Sequence, residues 1–253
     1  MPGMGDAPRM YRALHRGLPP IMNRFFRVYV EGQDNVPDRG GAILAANHLS
    51  FIDSLFLPLN VPRPVYFLGK ADYFDSAKTK WFFEGVGVIP TYRQGGDRAK
   101  QSLNAGKEVL RRGDLLGIYP EGTRSPDGRL YRGKTGPVRM AIEMGVPIVP
   151  CGLIGTREAQ PPGRYVPKRQ PVKIRYGRPL DFSRYAGEHG DPFVLRSATD
   201  ELMYEIMMLS GQEYVDEYAS TLKDGEITLA NLATPVVPAE PESETTEATR
   251  AAM

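Results

Sequence analysis

A histidine and an aspartate stand five residues apart in segment 47–53 (NHLSFID), directly after an apolar run at 43–46. Five positions along a regular helix correspond to about 500° of rotation, so the two side chains do not share one helical face. We therefore predict His48 in a loop that leaves a strand and Asp53 in the first turn of a following helix, folded back toward the ring. A carboxylate that accepts the proton of one imidazole nitrogen leaves the other nitrogen free as a general base near neutral pH.

The same spacing also has a purely structural interpretation. Ser50 and Asp53 match a capping box, in which a hydroxyl and a carboxylate satisfy the free N–H groups at the start of a helix. An acid in the first turn is further favoured by the helix dipole. On this segment alone catalysis and helix capping both stay open, and we predict Ser50 as the helix cap.

A second polar loop follows the apolar run at 115–119, within the sequence LLGIYPEGTRS. Gly122 lets a ligand approach the backbone closely, and Arg124 presents a guanidinium fork that matches phosphate oxygens. Thr123 and Ser125 add hydroxyl groups to the same loop. The segment therefore predicts an anion site at the sheet edge that also carries His48.

Two further charged side chains accompany this loop. A third strand-like run, 87–93, ends in Arg93, and Glu121 directly precedes the glycine of the polar loop. The structural interpretation is that Glu121 pairs with Arg93 or Arg124 and joins the loops. Such pairing is compatible with phosphate binding.

Together these residues resemble the lysophospholipid acyltransferase family, also called the 1-acylglycerol-3-phosphate acyltransferases. The resemblance rests on four blocks in the same order as in the family: 47–53, 87–93, 120–125 and 146–150. The first and third blocks are specific together, and flanking strands extend the similarity over residues 27–180. The second block departs from the commoner pattern, because it carries Pro-Thr-Tyr at 90–92 where an aromatic-aliphatic-Asp run is often found.

The resemblance implies transfer of a fatty acyl group from a thioester, on CoA or acyl carrier protein, to the free hydroxyl of a lysophosphatidic-acid-like acceptor in phospholipid biosynthesis. It implies that His48 is the general base and that Asp53 orients it, as the catalytic pair. The residues that it implies for the acceptor phosphate are Arg93, Glu121, Gly122, Thr123 and Arg124. Alternatives are glycerol 3-phosphate or another lysolipid as acceptor, and a non-catalytic lipid-binding protein on the same scaffold.

Other kinds of active site find no support in the sequence. No Gly-x-Ser-x-Gly elbow is present, so the hydrolase route through an activated serine has no candidate. The single cysteine, Cys151, follows an apolar strand and is interpreted as a buried small residue in a reducing compartment. The three histidines lack metal-ligand spacing, and no complete dinucleotide or Walker-type loop occurs. We expect no metal and no cofactor, with the thioester as co-substrate.

The chain is predicted to form one α/β domain over residues 27–222, with a mostly parallel sheet flanked by helices. Strand-like runs occur near 27–32, 42–47, 64–69, 86–92, 114–119, 146–151 and 172–177. Helical patterns cover 97–112, 137–144 and 192–210. In such sheets the ligand crevice lies at the carboxyl ends of the strands, where His48, Arg93 and Glu121 fall.

Residues 1–26 predict an amphipathic helix, kinked at Pro19-Pro20, with arginines interleaved among apolar side chains. This pattern is typical of a helix in an anionic membrane interface, and packing on the domain is the alternative. No run reaches the roughly 20 apolar residues of a spanning helix, and no secretory signal is visible. We therefore expect a cytoplasmic protein that is peripheral on the inner face of the cell membrane.

The remaining charged segments say less about the function of the protein. Arg132 and Lys134 are possible accessory cations for phosphate or for the CoA nucleotide, or else part of a solvated charge run. Residues 223–253 are predicted to form a disordered acidic tail. The formal net charge of +2 is too small and too dispersed to predict a nucleic-acid partner. The expected partners are the lysophospholipid, the acyl donor and an anionic membrane surface.

Overall fold

The computed structural model of the protein describes residues 9–70, 74, 76, 80, 81, 83, 85–91, 96–161 and 163–223. The predictions for residues 1–8, for Arg93 and for the acidic tail after residue 223 lie outside these ranges.

All seven predicted strand segments form strands of one sheet. The strands are β1 (Val28–Glu31), β2 (Ala42–Ala46), β3 (Val65–Lys70), β4 (Val88–Thr91), β5 (Leu115–Ile118), β6 (Leu130–Tyr131), β7 (Ile148–Ile154), β8 (Val172–Tyr176) and β9 (Tyr214–Val215). The helices are α1 (Arg9–Phe26), α2 (Asp53–Leu59), α3 (Gly96–Arg111), α4 (Gly136–Met144), α5 (Thr156–Ala159), α6 (Pro192–Ser210) and α7 (Ala219–Lys223).

The large sheet has the strand order β1-β8-β7-β2-β5-β3-β4, and β6 pairs with β9 in a small second sheet. Strands β7, β2, β5, β3 and β4 run parallel to one another. Strand β8 is antiparallel to β7, and β1 is parallel to β8, so these two strands run against the other five. The prediction of a mostly parallel sheet is confirmed.

The central strand β2 explains why the core has two layers. Every residue of β2 is buried, as expected for an apolar strand covered on both faces. Because successive side chains of a strand point to opposite faces, Leu44 contributes to the core beneath α1 and α2, whereas Ile43 contributes to the core beneath α3, α4 and α6. Helices therefore cover both faces of the sheet, as predicted.

Helix α1 lies against the domain through one of its sides. Tyr11, Met22 and Phe26 are buried, and the Tyr11 hydroxyl accepts a hydrogen bond from Val65 N at 3.0 Å. Pro19 and Pro20, where a kink is predicted, both lie inside α1, and the helix continues through them. Ile21 and Phe25 stay exposed on another side of the helix. Within the described ranges, none of the helices is both long enough and apolar enough to cross a bilayer.

Candidate active site

The two polar loops leave the sheet side by side. Strands β2 and β5 are parallel neighbours, with Ala45 opposite Ile118, so the loops that follow them start at the same edge of the sheet. The loops are joined directly, since Ser125 N donates a hydrogen bond to His48 O at 2.7 Å. The sheet thereby brings the histidine loop and the loop of residues 120–125 together.

The predicted contact between His48 and Asp53 is confirmed. His48 Nδ1 lies 2.9 Å from Asp53 Oδ2, and Asp53 begins α2. The same oxygen accepts hydrogen bonds from Leu49 N and Ser50 N, both at 2.7 Å. Because Oδ2 is an acceptor for these donors, Nδ1 carries the imidazole proton and the Nε2 lone pair is available for a substrate proton. Asp53 is thus the first residue of α2, and its side chain holds both the ring and two backbone N–H groups of the histidine loop.

The prediction that Ser50 caps α2 is wrong. The residue before α2 is Ile52, and no side chain caps the helix there. The Ser50 hydroxyl donates instead to the backbone oxygen of Gln160 at 2.9 Å and lies 3.1 Å from the Gln160 side-chain oxygen. The Ser50 hydroxyl therefore binds a buried carbonyl group 110 positions away in the sequence instead of capping α2.

Tyr119 was not predicted as a site residue, although its ring forms one wall of the site. The Tyr119 ring stacks on the His48 imidazole with a centroid distance of 3.9 Å and an angle of 9° between the planes. Phe67 stacks on Tyr119 at 5.7 Å, and the Tyr119 hydroxyl lies 3.1 Å from Ser54 Oγ. Burial raises the pKa of Tyr119 well above its usual value, so the phenol stays neutral. In the sequence, only its position directly after β5 and directly before the polar loop pointed to a place in the site.

Glu121 is buried and joins the loops in a way that differs from the predicted ion pair. Its Oε1 accepts from His48 N at 2.9 Å, and its Oε2 accepts from Tyr131 N at 3.0 Å. Both carboxyl oxygens are therefore engaged with the backbone. This geometry favours a positioning role over direct contact with a phosphate group, because both carboxyl oxygens already accept hydrogen bonds from the backbone.

Burial raises the pKa of Glu121 to about 8 from its ordinary 4.5, although the two backbone N–H groups favour the ionised form. A carboxyl group with a raised pKa binds its proton more tightly in the folded state. Protonated Glu121 therefore stabilises the folded protein fully at pH values below the pKa of this group in the unfolded chain. This stabilisation is lost as the pH rises through the pKa of Glu121 in the folded protein.

A pH-dependent difference in stability should therefore separate the wild type from Glu121→Gln. We expect the unfolding free energy of the wild type, relative to that of the variant, to fall as the pH rises from 4.5 to about 8. Urea unfolding of both proteins across this range measures the difference, with the exposed Glu158→Gln as the control. A difference between wild type and Glu121→Gln that does not change with pH would contradict the assignment.

The rest of the loop packs its glycine against a lysine side chain. Gly122 adopts the left-handed φ of 72°, and a Cβ atom at this position would lie 3.1 Å from Lys134 Nζ. The left-handed conformation favours glycine here, and a Cβ atom would also press against the lysine side chain. Arg124, two residues on, has an exposed side chain, and Thr123 lies between them. Gly122, Thr123, Arg124 and Lys134 are thus brought together.

Arg132, the other possible accessory cation, is engaged away from this group. Its Nε lies 3.5 Å from Asp216 Oδ1, and its guanidinium stacks over the Tyr218 ring at 5.6 Å. Arg132 is therefore engaged with the segment that follows β9 rather than with the polar loop.

Two side-chain amides tie these loops to distant parts of the chain, and neither was identified from the sequence. Asn47 Oδ1 accepts from Leu153 N at 2.7 Å, and its Nδ2 donates to Gln212 Oε1 at 2.7 Å. Gln212 Nε2 in turn donates to Gly128 O at 2.6 Å. Gln212, which follows α6, thereby connects the histidine loop to the chain that continues from the polar loop.

Comparisons with known proteins agree on one family. A family model described as acyltransferase matches residues 27–154. The chain is similar to the chloroplastic 1-acyl-sn-glycerol-3-phosphate acyltransferase of Arabidopsis thaliana, with 33% identity over 140 residues, which are 55% of this chain and 39% of that protein. The 1-acyl-sn-glycerol-3-phosphate acyltransferase of Bacillus subtilis is 26% identical over 70% of this chain and 85% of its own length.

A solved structure supports the same grouping. The crystal structure of the 1-acyl-sn-glycerophosphate acyltransferase from Thermotoga maritima covers 78% of this chain and 82% of its own, with a TM-score of 0.58 and 25% identity. The chain spans about two fifths of the length of its relatives from Arabidopsis thaliana, Brassica napus and Chlamydomonas reinhardtii. The family model itself covers half of the chain, including both loops of the site. This protein belongs to the acyltransferase family.

Proposed function

We propose that the protein transfers a fatty acyl group from a thioester, on CoA or acyl carrier protein, to the free hydroxyl of a 1-acylglycerol 3-phosphate. The observation that carries the proposal is the hydrogen bond between His48 and Asp53 beside the loop of residues 120–125. The names of the similar proteins support the choice of acceptor, since those from Arabidopsis, Bacillus and Thermotoga are acyltransferases for such a lysophospholipid.

In the proposed mechanism, His48 Nε2 removes the proton of the acceptor hydroxyl as its oxygen bonds to the thioester carbonyl carbon. Asp53 holds the ring and stabilises the imidazolium that forms. The tetrahedral intermediate then collapses, the carbon–sulfur bond breaks, and the thiolate leaves and takes the proton from His48. A thioester is reactive enough that no nucleophile from the enzyme is needed.

We further propose that the phosphate of the acceptor binds at the backbone of Gly122 and Thr123, with Arg124 and Lys134 as its cations. Lys134 lies against Gly122, and the Arg124 side chain is exposed. Glu121 contributes by holding the two loops in register through its backbone hydrogen bonds. Arg93, which lies outside the described residues, stays a predicted phosphate ligand through the family resemblance alone.

A panel of donors and acceptors tests the reaction. Purified protein is given 1-acylglycerol 3-phosphate or glycerol 3-phosphate, each with acyl-CoA or acyl-acyl carrier protein, and the products are resolved by mass spectrometry. We expect phosphatidic acid from the first acceptor with at least one donor. If no combination yields acylated product while the protein is folded, the proposed function is wrong.

The Arg124→Ala variant tests the phosphate site. Removing a charged hydrogen bond to the phosphate should cost about 1.5–3 kcal/mol, which is about a 10- to 150-fold rise in KM for the acceptor, with a smaller change in kcat. Arg178 is also exposed and follows β8, whose direction carries it away from the site edge, so Arg178→Ala is a matched control. An unchanged KM in Arg124→Ala would refute the assignment.

We also propose that the protein is peripheral on the membrane leaflet that holds its acceptor and faces its donor, with α1 in the interface. Met22 and Phe26 of α1 are buried against the domain, whereas Ile21 and Phe25 are exposed beside the exposed Arg24. Apolar side chains next to cations are typical of a helix that lies in an anionic lipid surface.

A further inference from the structure

The loop of residues 163–169 shows an unusual exposure of large side chains. Tyr165 is 95% exposed and Val166 is 70% exposed, although both belong to a proline-flanked loop with defined internal contacts. Arg164 N donates to Pro161 O at 3.1 Å, and Gln160 Nε2 donates to Tyr165 O at 3.1 Å. The backbone of the loop is thus held in place while an aromatic and an aliphatic side chain point away from the protein.

This loop lies beside α1. Arg169 lines an open groove of about 570 Å³ together with Pro20, Ile21, Arg24 and Phe25 of α1. The groove therefore joins the exposed apolar side of α1 to the end of the loop.

The loop is also fastened to the histidine loop. Gln160, whose side chain holds the Tyr165 carbonyl, accepts the hydrogen bond from Ser50, and Ser50 is followed by the half-exposed Phe51. The groove thus links α1 to loop 163–169, and Gln160 links that loop to the histidine loop.

The charges of the loop and of α1 have a single sign. Loop 163–169 carries three cations and no aspartate or glutamate, and α1 also contains no acidic residue. Within the loop, Arg164, Lys168 and Arg169 are all exposed. Tyrosine and short apolar side chains flanked by lysine and arginine match the boundary between lipid headgroups and acyl chains, where an aromatic ring with a polar tip is favoured.

We propose that loop 163–169 is a second membrane-contacting element, which inserts Tyr165 and Val166 into an anionic phospholipid surface alongside α1. The proposal extends the membrane association proposed for α1 and places the acceptor lipid at the entrance to the His48 site. A basic surface would also suit an acidic carrier protein, but the exposed tyrosine and valine favour a bilayer.

A fluorescent probe at position 166 tests insertion. Cys151 is the only cysteine, it is buried, and burial raises the pKa of its thiol, so Val166→Cys can be labelled selectively with an environment-sensitive dye. Phe193 is 85% exposed at the start of α6, on the opposite face of the sheet from α1, and Phe193→Cys is the matched control. With phosphatidylcholine vesicles containing about 30% phosphatidylglycerol, we expect a blue shift and a gain in intensity at 166, weakened by salt, and no change at 193.

Vesicle partitioning of unlabelled variants gives the second measurement. Tyr165→Ser/Val166→Ser should partition into the same vesicles about tenfold more weakly than wild type, because the buried apolar area is lost. The control Phe193→Ser/Tyr204→Ser, which removes exposed side chains from α6, should stay within about twofold of wild type. Since all four side chains are exposed, we expect unchanged circular dichroism.

The result that overturns the proposal is a probe at 166 that does not respond to vesicles, or a serine double variant that binds them like wild type. A response at 166 to acyl carrier protein but not to vesicles would equally overturn it. Neither measurement needs turnover, and His48→Ala should bind vesicles like wild type, so failure of the acyltransferase proposal and failure of this one are distinguishable.

Discussion

Replacing His48 with alanine is expected to lower kcat by about 10²–10⁴-fold, because the acceptor hydroxyl then has no general base. The ring stacks on Tyr119 and its Nδ1 is held by Asp53, so the variant loses both the base and the group that Asp53 orients. Formation of labelled phosphatidic acid from 1-acylglycerol 3-phosphate, with whichever donor supports the wild type, measures the loss.

The control for this variant is His189→Ala. His189 is exposed and lies in the segment before α6, so its loss should leave the rate unchanged. Because removal of the His48 ring leaves a gap beside Tyr119, a thermal melt of His48→Ala must accompany the assay. Equal product from His48→Ala and wild type would remove the proposed base.

The second large effect is expected from Asp53→Asn. Asp53 Oδ2 accepts from His48 Nδ1, Leu49 N and Ser50 N, and an amide oxygen in its place can keep these three contacts while losing the negative charge. We expect kcat to fall by about 10²–10⁴-fold with little change in KM for the acceptor, because the imidazolium of the transition state loses its counter-charge.

A double variant separates this role from a merely structural one. If Asp53 acts through His48, then His48→Ala/Asp53→Asn should be no slower than His48→Ala alone, since the charge has no ring left to stabilise. Independent, multiplying losses in kcat, or a wild-type kcat in Asp53→Asn, would contradict the assignment. Circular dichroism of all three variants checks that α2 still forms.

The strands and the histidine contact could be predicted because the signals are local. An apolar run such as β2 buries every residue and so carries no polar side chain, and the loop after it begins at the first polar residue, Asn47. Helix α6 could be predicted for the same reason. Asp191 caps it by accepting hydrogen bonds from Phe193 N and Val194 N, and Gly211 ends it with a φ of 72°. In each case the residues that set the element are neighbours in the sequence.

The contacts that hold the site together were missed because their partners are far apart in the sequence. Ser50 matches a capping box equally well whether or not Gln160 is near, and nothing local shows that a buried carbonyl will take its hydroxyl. Likewise, the position of Glu121 suggested an ion pair, whereas backbone amides of the histidine loop and of β6 occupy its two oxygens. The orientation of β8 against β7 also depends on pairing across the sheet, which strand propensity does not encode.

Gln160 and Gln212 limit how short a fragment of this fold can be if it is to keep the geometry of the site. The family model ends at residue 154, so both glutamines lie beyond the segment that carries the recognisable motifs. A fragment trimmed to those motifs would retain the imidazole, the aspartate and the arginine of the polar loop, but it would lack the amides that secure Ser50 and Asn47. A site moved to another scaffold would therefore need the chain through residue 212, although His48, Asp53 and Arg124 lie within a much shorter segment.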